Sequence, residues 1–233
     1  EEIDLLPVIG DVTEASFPAI TATADGSVIV ANLIGGSLIR YDRSTGTARR
    51  LPYGAGIRAE IAGAHLICVD ASAGVTVLEL ESGRLVAQLP QVSGAKDASF
   101  SQDARTVVIS MLDGRLRCVD ISADRLKVTE RWRTAPRATR SRAIAISPDA
   151  TTIVVAWDDG QIARISAATG ETEAQSDLPG GSVFDLVIAP DNSAAAASSW
   201  ANDVRIIDVR TLALINRFGD SATHVWNIAW SAD

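Results

Sequence analysis

The feature that most constrains this chain is a turn that keeps returning. A Ser/Thr/Ala-x-Asp triplet closes an apolar run at Thr23-Ala24-Asp25, Ser101-Gln102-Asp103, Ser147-Pro148-Asp149, Ala189-Pro190-Asp191 and Ser231-Ala232-Asp233. Successive aspartates lie 78, 46, 42 and 42 residues apart, and the first interval is two repeats of 39 around a degenerate Ala62-Gly63-Ala64 turn. A second marker holds the same period in mid-repeat: Ser44-Thr45-Gly46, Glu81-Ser82-Gly83, Ser122-Ala123-Asp124, Ala168-Thr169-Gly170 and Arg210-Thr211-Leu212. A repeat of this length is one supersecondary unit that must stack on its neighbours to bury its apolar face.

The unit from Arg142 to Asp177 shows what is being repeated. Arg142–Ser147 reads as a strand closed by Pro148-Asp149, and Thr152–Trp157 as a second closed by Asp158-Asp159-Gly160. Gln161–Ser166 is a third, closed by Ala167-Ala168-Thr169-Gly170, and Glu171–Asp177 a polar fourth. Asp-Gly and Thr-Gly are hairpin signals because glycine accepts the positive φ of a tight turn. Four short strands in about 40 residues make one propeller blade. First strands alternate as a blade requires. Three and five residues before each anchoring aspartate stand Ala22, Phe100, Ile146, Ile188, Trp230 and Ile20, Ala98, Ile144, Leu186, Ile228. Between them lie the slim Thr21, Ser99, Ala145, Val187 and Ala229, as expected where blades converge. The fold class is therefore all-β, a β-propeller of four-stranded antiparallel blades.

Third strands such as Gly36-Ser37-Leu38-Ile39-Arg40-Tyr41-Asp42 and Asn202-Asp203-Val204-Arg205-Ile206-Ile207-Asp208 end in an apolar–acidic pair. The aligned pairs are Tyr41-Asp42, Leu78-Glu79, Val119-Asp120, Ile165-Ser166 and Ile207-Asp208. In this the chain resembles the WD-repeat propellers, in a degenerate form shared with YVTN-type propellers. It departs from the family in having no Trp in that pair and no Gly-His before the first strand, where Asp220-Ser221 stand in the last repeat. One domain over 1–233 is expected, with blades at about 18–56, 57–95, 96–139, 140–182 and 183–224 and a partial sixth at 225–233. The expected whole is a six- or seven-bladed ring, completed by further residues or a second chain. Ile3–Ile9 would then be an outer strand of the closing blade.

Composition narrows function by exclusion. A formal charge of −8 and a pI near 4.8 argue against general nucleic-acid binding. No apolar run approaches a membrane span. Cys68 and Cys118 each sit in an apolar run, which reads as two buried thiols. With only His65 and His224 as histidines, most zinc hydrolase and Ser-His-Asp schemes have no parts. No metal or cofactor is expected. Asp25, Asp103, Asp149 and Asp191 recur in turns where aspartate bonds its own backbone, and Asp158-Asp159 reads as a solvated hairpin turn rather than a metal site.

One segment breaks the acidic background. Arg115 to Arg142 holds nine basic residues against Asp120, Asp124 and Glu130, a net +6 that leaves −14 on the rest. Its repeat is also the longest, with the surplus around Arg131–Ser141. The resemblance implies that connections of this kind line the face where propellers hold partners. Arg131, Arg133, Arg137, Arg140 and Arg142, with Trp132 as anchor, form the candidate docking site for an acidic peptide or phosphate. The competing reading is a solvated loop whose Arg stems cover apolar surface. A second candidate is the start of the innermost strand, seven residues before each anchor. Pro18, Lys96, Arg142, Phe184 and Trp226 stand there, followed in three blades by Asp97, Asp185 and Asn227. Their variety beside uniform apolar positions suggests the mouth of a central channel, and rim packing explains Phe184 and Trp226 equally well.

These observations lead to a non-catalytic interaction module, a scaffold holding a protein or acidic-peptide partner on the top face of a propeller in the cytoplasm. The alternatives are a YVTN/lactonase-like or quinoprotein-like enzyme, or the sensor domain of a larger signalling ATPase. The enzyme would need a metal among Asp97, Asp185 and Asn227, where Lys96 and Arg142 repel cations.

Overall fold

A computed structural model describes residues 19–32, 37–54, 57–70, 74–89, 94–178, 182–219, 225 and 227–231. Among these residues twenty strands form five four-stranded antiparallel sheets, each made of strands consecutive in sequence. Blade 1 is β1 (Ala19–Ala22), β2 (Val28–Asn32), β3 (Ser37–Asp42) and β4 (Thr47–Gly54). Blade 2 is β5 (Arg58–Ala62), β6 (His65–Val69), β7 (Val75–Glu79) and β8 (Leu85–Leu89). Blade 3 is β9 (Ala95–Phe100), β10 (Thr106–Met111), β11 (Leu116–Ile121) and β12 (Val128–Arg133). Blade 4 is β13 (Ser141–Ile146), β14 (Thr152–Trp157), β15 (Gln161–Ser166) and β16 (Thr172–Asp177). Blade 5 is β17 (Val183–Ile188), β18 (Ala194–Ser199), β19 (Val204–Asp208) and β20 (Leu214–Phe218). The repeat period thus sets the strand count directly, one meander per repeat. In the sixth repeat the described residues form no ladder, since no described strand pairs with them. The expected strand at Ile3–Ile9 lies outside the described residues.

The chain divides into two compact units, Glu1–Ser93 with Ser122–Val128, and Gly94–Ile121 with Thr129–Asp233. In the first, Val28, Val30, Leu38 and Leu51 of blade 1 close on Ala59, Leu66, Cys68 and Leu78 of blade 2. In the second, blade 4 is apolar on both faces. Ile144, Ile146, Ile153 and Val155 pack toward Val108, Leu116 and Cys118 of blade 3. The alternate residues Ala143, Ala145, Val154 and Ala156 pack toward Leu186, Ile188, Ala195 and Ala197 of blade 5. Period-2 alternation therefore serves two neighbours, and each large side chain so buried contributes roughly 1.5–3 kcal/mol. Both thiols are buried as expected; burial pushes Cys68 up to about 12 and Cys118 up to about 11, which keeps them unreactive.

The recurring aspartates hold turns. Asp25, Asp103, Asp149 and Asp191 each accept the backbone N–H two residues on, at 3.0–3.1 Å. Each thereby fixes a left-handed residue between, Gly26, Ala104, Ala150 and Asn192. Only the first of these is glycine, so the carboxylate offsets strain that the other three sequences do not avoid. Hydrogen bonds from Thr23 and Ser27 lower Asp25 to about 2, while the Ser147 hydroxyl lowers Asp149 and the Ser193 N–H and hydroxyl lower Asp191. Folded values below the ordinary 3.8 mean that the unfolded chain takes up protons first as pH falls. The contribution of these turns is complete above that ordinary value and disappears as the pH drops through the folded ones. A urea midpoint steady from neutrality to about pH 5 and falling below about pH 4 is expected. The Asp149→Asn/Asp191→Asn chain should show a shallower acid slope; an identical slope would refute this role.

Candidate functional site

Each blade has two ends. One carries the first-to-second and third-to-fourth strand turns; the other, the crossover end, carries the second-to-third strand hairpins and the connections between blades. The basic segment runs along β12 from the first end to the second, and the structure separates its members accordingly.

Arg131 and Trp132 lie at the blade-4 third-to-fourth turn. Arg131 pairs with Asp120, reaches the Ala167 carbonyl at 2.9 Å and Thr106 Oγ1 at 3.2 Å. Trp132 donates its indole N–H to the same carbonyl at 2.9 Å, with its ring where a Gly170 Cβ would stand. Both side chains seam blade 3 to blade 4. Arg133 pairs with Glu130 at 2.9 Å, and the buried Arg117 holds the same carboxylate. The run is contiguous in sequence but not a contiguous basic patch, because Arg131 is held by Asp120 and the Ala167 carbonyl and Arg133 by Glu130.

Arg137, Arg140 and Arg142 lie at the crossover end. The 134–140 connection is pinned there: Thr134 N–H bonds to the Leu116 carbonyl at 3.0 Å and Arg137 N–H to the Asp113 carbonyl at 3.1 Å. The Arg137 guanidinium lies 4.1 Å from the Trp157 ring centroid and bonds to Thr139, Gln161 and Asp159. Arg142 pairs with Asp158 and has its guanidinium 5.9 Å from the Trp200 ring centroid. The expectation of a merely solvated Asp158-Asp159 turn thus gives way to two ion pairs. Burial alone would raise Asp159, but the Gln161 N–H, Thr139 and Arg137 hold it below the usual carboxylate range. Arg140 and Lys96 are exposed, and among the described residues neither makes an ion pair.

The inner strands contribute a repeated device. Asp97 pairs with Ser110 and Ala95 with Met111, which leaves Lys96 as an extra residue in the ladder. The same shift leaves Arg142 extra between Ser141 and Ala143, and Phe184 extra between Val183 and Asp185. A β-bulge unpairs one residue and re-aims its side chain. Three successive blades thus use one backbone irregularity to present Lys96, Arg142 and Phe184 at the crossover end. Trp226, the next in that series, lies outside the described residues.

The residue after each bulge has a different task. Asp97 and Asp185 are both buried. Asp97 accepts the Ala98 N–H at 2.8 Å and the Ile144 N–H of blade 4 at 3.4 Å. Asp185 accepts the Leu186 N–H and the Ile228 N–H, each at 3.1 Å. Ile144 and Ile228 stand five residues before their anchors, so one clasp recurs in two places. Ser99 accepts the Ile146 N–H in the same manner, and in the first unit Thr21 accepts that of Ile61. The slim inner positions are acceptors for the next blade as well as space savers. Asn227 is exposed. Among the described residues no three His, Cys, Asp or Glu gather at metal-ligand spacing. At the opposite end a groove of about 400 Å³ is lined by Thr152, Arg164, Glu173, Asn192, Asp208 and Arg210, with Arg164 tied to Glu173 at 3.1 Å.

Two crossover-end features were invisible in the motifs. Trp200, 46% exposed, lies with its ring 4.4 Å from that of Phe184. Beneath it Asp203, fully buried, accepts from Ser199, Arg205 and Arg217. Burial would push the Asp203 carboxyl up; Ser199 and the two guanidiniums together hold it below the usual range.

No protein-family model matches the chain, and no curated protein matches it in sequence. In structure it is similar to the β-propeller domain of Cps50 (Swd1) from Myceliophteria thermophila, at 13% identity and a TM-score of 0.73 over 90% of this chain and 74% of that one. The chain has the β-propeller fold, built from five described four-stranded blades.

Proposed function

We propose that this chain is a non-catalytic protein-interaction module that docks an acidic partner on the crossover end of its blades. The observation that carries the reading is the repeated bulge. A constant backbone device presents chemically different side chains, Lys96, Arg142 and Phe184, in three consecutive blades. A scaffold that keeps its geometry and varies what it displays is suited to reading a partner, and rigid presentation reduces the ordering cost of binding. Arg137, Arg140 and the pinned connection extend the same surface. Arg131, Trp132 and Arg133 stay outside it because their polar atoms serve blade 3 and its seam with blade 4. Asp97 and Asp185 support it from beneath. The Ile228 clasp on Asp185 repeats the Ile144 clasp on Asp97, which supports a sixth repeat seated after blade 5.

The test is affinity capture with the whole chain as bait from a lysate of its source organism, partners being quantified by mass spectrometry. Lys96→Glu with Arg140→Glu reverses two exposed charges that hold no ion pair, so the fold should persist. Partners held by the wild-type chain should fall about tenfold on the variant, and exposed pairs should also weaken in 1 M salt, where the Debye length is about 3 Å. Equal capture by both chains would overturn the reading.

A further inference from the structure

Away from the docking surface, at the opposite end of the blades, we infer that the groove between blades 4 and 5 binds a free α-amino acid as its zwitterion. The seams at this end differ. Between blades 3 and 4, Arg131 and Trp132 fill the seam, both donating at 2.9 Å to the Ala167 carbonyl in the third-to-fourth turn of blade 4. Between blades 4 and 5, the Arg164 guanidinium reaches such a turn by bonding to the Arg210 carbonyl, and a groove of about 400 Å³ stays open beside it. That volume falls within the range of small-molecule sites. Glu173 holds Arg164 from its other side at 3.1 Å, so this cation is fixed in place and its charge is spent.

Three other groups lining the same groove are not spent. Asn192 Oδ1 is enclosed, yet it accepts no hydrogen bond. The left-handed turn does not call for that amide, because Ala104 and Ala150 hold the same place in blades 3 and 4 at φ 51° and 58°. The Thr211 hydroxyl and N–H, and after them the Arg210 charge, hold Asp208 below the usual carboxylate range. Both Thr211 bonds go to Oδ1, which leaves Oδ2 to the groove. Arg210 is exposed, and among the described residues it closes no ion pair with Asp208 or any other carboxylate. One groove thus displays a carboxylate oxygen, a guanidinium and a buried acceptor. A carboxylate on Arg210 and an ammonium on Asp208 and Asn192 Oδ1 answer all three, and an ammonium has donors enough for both acceptors. An ion of one sign meets a like charge and leaves a polar group unanswered, which is costly.

Thermal melts of the whole chain with each common L-amino acid at about 5 mM provide the test, followed by calorimetric titration of those that act. At least one should raise the midpoint by about 3 °C. N-acetylation removes the ammonium and amidation the carboxylate, and each should weaken binding by about tenfold or more. So should Asn192→Ala/Arg210→Ala. That double substitution gives blade 5 the residues blade 4 already carries, Ala150 and Ala168, and it keeps the backbone carbonyl that holds Arg164. Its own melt shows whether it folds; if it does not, the blocked amino acids decide alone. Lys96→Glu/Arg140→Glu, at the other end of the blades, should bind as the wild type does, so the docking surface is tested separately. No response to any amino acid overturns the inference, and so does equal binding by the folded double variant. Binding that survives acetylation or amidation also overturns it, since a single charge would then suffice.

Discussion

Asp203→Ala should lower the unfolding free energy by about 3–5 kcal/mol, because it strands a buried guanidinium without its counter-charge. Arg205 is 1% exposed and Asp203 fully enclosed, so water cannot replace the lost carboxylate. Ser199 loses its acceptor in the same step, and the hairpin that carries Trp200 loses its floor. Urea unfolding followed by tryptophan fluorescence gives the number. Asp203→Leu combined with Arg205→Leu is the informative companion. Removing both charges together leaves no orphan, so the double substitution should recover most of the loss. A single-site loss under about 1 kcal/mol, the size of an exposed ion pair, would show that the network is solvated.

Gly114→Ala should weaken docking as well as destabilise the chain. Gly114 closes the β10–β11 hairpin at φ +77°, where a side chain is strained by about 1–3 kcal/mol. Its Cβ would also stand 2.5 Å from the Thr139 carbonyl oxygen and 2.8 Å from Arg137 Cβ. The first contact is backbone, so the 134–140 connection itself must move and carry Arg137 and Arg140 with it. Gly160 provides the control: it closes the corresponding hairpin of blade 4 at φ +82°, and its Cβ would meet nothing nearer than 3.9 Å. Gly114→Ala should cost more stability than Gly160→Ala in a urea melt, because a backbone clash adds to the φ strain that the two share, and only Gly114→Ala should lower partner capture, by about tenfold, or roughly 1.4 kcal/mol. Equal capture by the two variants would show that the connection does not position the docking groups.

The two expected effects concern residues of different legibility. Gly114 follows an aspartate in a hairpin and announces its turn, but nothing nearby in sequence indicates that Thr139 will press against it. Asp203 and Arg205 look like the ordinary polar dressing of a third strand. Their burial follows from the Ser199 hydroxyl and Arg217 arriving from neighbouring strands. Trp200 is not legible from the repeat, because a tryptophan beside a turn carries no period of its own.

The sequence by itself determined the blade. Period-2 alternation, Asp-centred turns and Gly hairpins act within a dozen residues, and local chemistry suffices to specify them. Thr152–Trp157 and Gln161–Ser166 came out of that pattern residue for residue. Tertiary structure alone decided which charges are available. Nine basic residues in 28 positions read as one patch, yet the packing of blade 4 holds Arg131 and Trp132 at its seam with blade 3, and Glu130 pairs with Arg117 and Arg133. It also turned the row at Lys96, Arg142 and Phe184 from a compositional oddity into three aligned bulges, and it set Asp97 and Asp185 to work as clasps. The physical reason is range. Hydrophobic alternation and turn chemistry are carried by neighbours along the chain, whereas ion pairing and exposure depend on groups brought together only when one blade packs against the next.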